Sequence, residues 1–153
     1  MAKAQRSSTR QSATTQPSIQ PTTQAAVQVT VPPAVAGIDF ARQVARIAAD
    51  HRAEDVVILD LRGLSAIADF FVIATGTSDR QMRAVAEAVE EYGSTMGQRV
   101  YGRCGYESAT WVLVDYVDVV VHIFDKERRQ YYDLELLWGD APRVSWDESA
   151  GRS

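Results

Sequence analysis

Two periods alternate along the chain. Four stretches are almost continuously apolar: Val56-Val57-Ile58-Leu59, Phe70-Phe71-Val72-Ile73-Ala74, Trp111-Val112-Leu113-Val114 and Val119-Val120-Val121-His122-Ile123-Phe124. Runs this short and this rich in β-branched and aromatic residues predict strands covered on both faces. Strands are therefore expected over Asp55 to Leu61 and Phe70 to Thr75, with a hairpin over Trp111 to Phe124 turning near Asp115–Asp118. Between them the apolar positions recur at helical spacing. Phe40, Val44, Ile47 and Ala48 predict a helix from about Asp39 to Arg52 with Asp39 as its cap. Met82, Val85, Ala86 and Val89 predict a second from about Asp79 to Met96, ended by Gly97. Tyr131, Leu134, Leu137 and Trp138 predict a third from about Lys126 to Leu137, with Arg128 and Arg129 on its wet side and Gly139 and Pro142 stopping it.

A short strand at Gln98 to Gly102, parallel to Phe70–Thr75, completes the order α-β-β-α-β-β-β-α. The fold class is α/β, or α+β: a mixed sheet of about five strands packed with three helices. The folded domain spans residues 36–140. Residues 141–153 read as a flexible C-terminal tail, with Trp146 exposed or a lone docking residue.

Residues 1–35 follow neither period. They are rich in Ser, Thr, Gln, Ala and Pro and hold no acidic and no aromatic residue. Such a segment buries too little apolar surface to offset the entropy of ordering. A disordered extension and an organellar transit peptide share this description. The low count of basic residues favours the extension, and with it a cytoplasmic location. All 20 acidic residues lie from Asp39 onward, with all but three of the 16 basic ones, so the folded part is more acidic than the chain's net −4. That suits a basic protein partner better than a phosphate backbone, and no direct sequence-specific nucleic-acid binding is expected. One cysteine, Cys104, excludes an internal disulfide and a multi-cysteine zinc site. No apolar run reaches the length of a membrane span, so no membrane partner is expected.

Three places carry candidate chemistry. Gly76-Thr77-Ser78 stands between a strand and a helix, where free amides can meet a phosphate. A glycine turn with a Ser or Thr cap gives the same residues. The Asp-x-Asp that a nucleotidyltransferase needs for magnesium does not follow; Asp79 stands alone. His122 lies inside a valine strand with no nucleophile at motif spacing, which favours a hydrogen-bonded structural histidine. Trp111, Tyr116, Tyr131 and Tyr132 are the best binding candidates, since aromatics dominate the energetic centres of interfaces. Tyr131 and Tyr132 point about 100° apart on a helix, so one of them is expected at the surface.

Three segments in order, Asp69-Phe70-Phe71-Val72-Ile73-Ala74-Thr75-Gly76-Thr77-Ser78, Trp111-Val112-Leu113-Val114-Asp115-Tyr116 running into Asp118–Phe124, and Tyr131-Tyr132-Asp133-Leu134-Glu135-Leu136-Leu137-Trp138, resemble the ribosomal silencing factor family, also called Iojap. The likeness covers about Ile38 to Trp138. It implies a domain with nucleotidyltransferase-like topology but without the catalytic carboxylates, hence no enzyme, no cofactor and no metal. It implies binding to the large ribosomal subunit through the ribosomal protein conventionally numbered fourteen, steric exclusion of the small subunit, and a homodimer when free. The family's contact positions fall on Trp111, Tyr116 and Tyr132, with Asp115, Asp118 and His122 orienting or joining the contact. Two departures stand out. Val117 replaces the usual glycine of the hairpin turn, a poor occupant if that position needs a positive φ, and Cys104 stands where the family often has glutamate.

Overall fold

The computed structural model describes residues 37–147. The expected N-terminal extension and the last six residues lie outside that range. Ten elements follow one another: α1 (Gly37–Asp50), β1 (Glu54–Asp60), β2 (Phe70–Thr75), α2 (Asp79–Thr95), β3 (Gly102–Cys104), β4 (Trp111–Asp115), β5 (Val119–Phe124), α3 (Lys126–Tyr132), α4 (Leu134–Leu137) and β6 (Arg143–Val144). The strands form one mixed sheet in the order β3-β4-β5-β2-β1-β6. β2 and β5 are parallel at its centre, and every other pairing is antiparallel.

Alternation along each strand divides its side chains between two faces. Val56 and Ile58 of β1, Phe70, Val72 and Ala74 of β2, Val112 and Val114 of β4, and Val119, Val121 and Ile123 of β5 face α1 and α2, which contribute Phe40, Val44, Ala48, Met82, Val85 and Val89. The other face carries Leu59, Phe71, Ile73, Val120 and Phe124, against which Leu113, Leu134 and Trp138 pack. The central strands thus read as unbroken apolar runs because each is covered on both sides, by long helices on one and by the short α3–α4 segment on the other. No helix among the described residues is long and apolar enough to cross a membrane.

Four expectations are corrected. First, α1 begins at Gly37, which puts Asp39 in its first turn rather than at its cap. Second, β3 lies at Gly102–Cys104 on the sheet edge, antiparallel to β4, and the parallel partner of β2 is β5. Third, the last helix is broken at Asp133, whose φ of +44° turns the backbone left-handed. Asp tolerates that conformation better than most residues. Fourth, residues 141–147 are not a loose tail. Arg143 and Val144 pair with β1 as a sixth strand, and the half-buried Trp146 donates its indole N–H to the Val56 carbonyl at 2.9 Å. Arg42 and Arg46 of α1 reach the carbonyls of Ser145 and Trp146.

The β4–β5 turn is a strained point of the sheet. Asp118 N–H donates to the Tyr116 carbonyl at 2.9 Å across Val117, whose φ is +74°. This is the rare form of the γ-turn, and a β-branched residue is a poor occupant of it. The Asp115 carboxylate holds the turn by accepting from Val117 N–H at 2.7 Å. Val117→Gly is expected to relieve strain of roughly 1–3 kcal/mol at the expense of glycine's greater unfolded-state entropy, a net gain of about 1 kcal/mol. Thermal unfolding checks it: the midpoint should rise by roughly 5 °C.

Candidate functional site

The face opposite α1 and α2 brings Trp111, His122 and Tyr132 together. Trp111 opens β4 directly across from Phe124, so both side chains point to that face. Its indole stacks on Phe124 with centroids 4.8 Å apart and leans on Tyr132 at 4.6 Å. Its N–H donates to Nδ1 of His122 at 3.2 Å. His122 is only 4% exposed, with the Phe71 ring edge-on at 4.5 Å.

Burial pushes the His122 pKa down to about 4, so the imidazole is neutral near pH 7. An acceptor at Nδ1 fixes the proton on Nε2. That buried N–H has no hydrogen-bond partner among the described residues. A buried donor left unmade costs roughly 1–3 kcal/mol.

The remaining candidates lie elsewhere. Tyr116 falls on the other face by strand alternation and is buried. It meets Phe40 edge-on at 4.9 Å, and its hydroxyl reaches the Val89 carbonyl at 3.4 Å against Gly93. Burial, then the nearby Glu90 charge, pushes its pKa up to about 12. The expectation that Tyr116 contacts a partner is therefore corrected: its side chain is part of the core. Asp115, four residue steps or about 13 Å of strand from Trp111, begins the turn, and Asp118 ends it. The Asp115 carboxylate is engaged in the turn. The Asp118 carbonyl receives the amides of Asp69 and Phe70 at 2.8 and 3.0 Å, tying the turn to the start of β2.

Beside Trp111, α3 and α4 present a broad apolar surface. Tyr131 is 80% exposed, Leu136 76% and Leu137 70%, and Tyr132 is also exposed. Only Leu134 and Trp138, both half-buried, pack inward. The expected single apolar stripe of Tyr131, Leu134, Leu137 and Trp138 is thus split by the break at Asp133.

Arg129 holds this segment down, and the sequence reading placed it on the wet side. Its side chain is 11% exposed and forms a two-pronged pair with Glu135, 3.1 Å on each arm. Its third nitrogen donates to Thr75 Oγ1 at 2.8 Å and to the Asp55 carbonyl. A spacing of six residues is not a pairing an unbroken helix makes. Asp133, a cap-type residue inside a helical run, is the local signal that marked the break.

Gly76-Thr77-Ser78 is a packed cap. Ser78 Oγ accepts from Gln81 N–H at 3.1 Å, Gln81 Oε1 accepts from Thr77 N–H at 3.0 Å, and Gly76 N–H donates to the Phe124 carbonyl at 2.7 Å. A Cβ on Gly76 would lie 2.0 Å from Met82 Cγ, so glycine is there for close packing. Three amides around this helix start, those of Gly76, Thr77 and Gln81, are thus already engaged. Among the described residues, no group of His, Cys, Asp and Glu side chains is arranged to hold a metal ion. Cys104 is exposed on β3.

Residues 36–153 match the family profile described as ribosomal silencing factor during starvation. The ribosomal silencing factor RsfS of Bacillus subtilis is 48% identical over 98 residues, covering 64% of this chain and 83% of that protein. RsfS of Halalkalibacterium halodurans is 50% identical over 95 residues, covering 62% and 81%. A solved structure from Chromobacterium violaceum superposes with a TM-score of 0.67 at 33% identity, over 77% of this chain and 98% of that one.

Two predictions follow from the geometry. Arg129→Met should lower stability by about 2 kcal/mol in urea unfolding, because it removes the two-pronged pair and leaves the partly buried Glu135 carboxylate only the more distant Arg143, at 3.8 Å. His122 should make the fold acid-sensitive. Its folded pKa near 4 lies below its ordinary 6.5, so the unfolded chain takes the proton first. The stabilisation is complete above about pH 6.5 and is lost as pH falls toward 4, amounting to about 3 kcal/mol. Unfolding free energies measured across that window should fall more steeply for the native chain than for His122→Phe.

Proposed function

The chain belongs to the ribosomal silencing factor family, and from that premise we propose that it represses translation by docking on the large ribosomal subunit and sterically blocking the small one. The docking partner in this reading is the ribosomal protein conventionally numbered fourteen. The free protein is a homodimer, works in the cytoplasm and carries out no catalytic step.

The observation that carries the proposal is the apolar surface around Trp111. A half-buried indole packed on Phe124 and Tyr132, beside exposed Tyr131, Leu136 and Leu137, has the composition of an interface centre. Rigid aromatics supply large contact area with little side-chain entropy to lose. The acidic balance of the folded part favours a basic protein surface as partner. Trp111, Tyr132 and the exposed α3–α4 residues form the proposed contact. His122 supports it from beneath, and Asp118 at the turn is its proposed polar margin. Asp115 acts indirectly by holding the turn.

Trp111→Ala should weaken binding by roughly 2 kcal/mol or more, about thirtyfold, while leaving the fold intact. Co-sedimentation with purified large subunits, alongside circular dichroism of the variant, measures both. Unchanged binding by a folded variant would remove Trp111 from the contact.

A further inference from the structure

The geometry points to His122 as the positioning residue that sets the orientation of the Trp111 indole for docking, through the hydrogen bond from Trp111 Nε1–H to its Nδ1. This inference rests on the docking reading above and goes beyond it by assigning a residue that a partner does not touch.

Stacking does not fix an indole completely. Phe124, stacked at 4.8 Å, sets the plane in which the Trp111 ring lies, and Tyr132 packs against the indole at a tilt of 43°. They do not define which edge of the ring points outward, because a half-turn about χ2 keeps the ring in nearly the same plane and exchanges its edges. The N–H bond at 3.2 Å is directional and selects one orientation. An indole already in its docked orientation loses less freedom on binding.

The choice of histidine for this duty is informative. The position lies at the centre of the sheet, flanked across strands by Leu113 and Ile73 and along the strand by Val121 and Ile123. Every neighbouring strand position is apolar. Phe71, Phe124 and Trp111 enclose the ring. An apolar side chain there would avoid the unpartnered Nε2–H. On that count histidine is a poorer choice for stability than an apolar residue. What it alone provides is an acceptor beneath the indole. A local rule broken in the core, with one directional bond as the only gain, marks a residue retained for the site above it.

The test compares His122→Phe with His122→Asn. Phenylalanine keeps an aromatic ring, somewhat larger than the imidazole, and removes the acceptor. Asparagine places Oδ1 close to where Nδ1 stood but fills the pocket less well. Positioning predicts opposite rankings: thermal stability falls in the order Phe, His, Asn, whereas affinity for purified large subunits falls in the order His, Asn, Phe. The phenylalanine variant should bind about tenfold more weakly, about 1.4 kcal/mol, and its Trp111 indole N–H should lose protection from hydrogen exchange by NMR. His122→Leu replaces it if that variant fails to fold. Native-like affinity in a folded phenylalanine or leucine variant, or an affinity order that simply follows stability, overturns the inference. A wild-type chain that does not sediment with large subunits overturns the docking reading itself, and the positioning role with it.

Discussion

One guanidinium holds the functional face together. The sheet has two sides, and two long helices cover only one of them. The other is covered by α3 and α4, too short to be stable through their own turns. Arg129 spans the gap. It binds Glu135 across the break at Asp133, and Thr75 and the Asp55 carbonyl on β2 and β1. Because its partners lie on both sides of the break, it fixes α3 against α4 and both against the sheet. Only then can Tyr131, Leu136 and Leu137 remain outside while Leu134 and Trp138 pack inside. An apolar surface this exposed needs a rigid base, or it would collapse onto the core it is meant to avoid.

Strand alternation decides the rest of the site. Neighbouring positions of one hairpin serve opposite ends: Val112, Val114 and Tyr116 build the core beneath the long helices, and Trp111, Leu113 and Asp115 face the other way. Tyr116 and Trp111 belong to the same sequence motif, yet the sheet separates them. The long-helix core and the proposed docking surface thereby fall on different faces. They meet at His122, where a buried imidazole carries an unpartnered N–H and accepts from the Trp111 indole.

Much of this was legible from periodicity. β2 and the hairpin strands could be read because they are unbroken β-branched and aromatic runs, and the buried stripe of α2 because Met82, Val85, Ala86 and Val89 recur at helical spacing. The left-handed demand at Val117 was legible as well, since a glycine position filled by valine signals strain. What escaped reading were features set by distant partners. β6 is two residues long and exists because β1 offers an edge to it. The break at Asp133 is stabilised by contacts to β1 and β2, more than fifty residues earlier in the chain. The burial of Tyr116 needed the register of β4. Local pattern reports propensity and alternation, whereas these features depend on what the sheet brings alongside.

The most direct test of the account is subunit joining. Large subunits preincubated with the protein would be mixed with small subunits and the formation of whole ribosomes followed by light scattering and gradient sedimentation. The account predicts that joining falls as the protein saturates the large subunit, and that it recovers with Trp111→Ala at the same concentration. Undiminished joining on large subunits that demonstrably carry the protein would contradict occlusion as its mechanism.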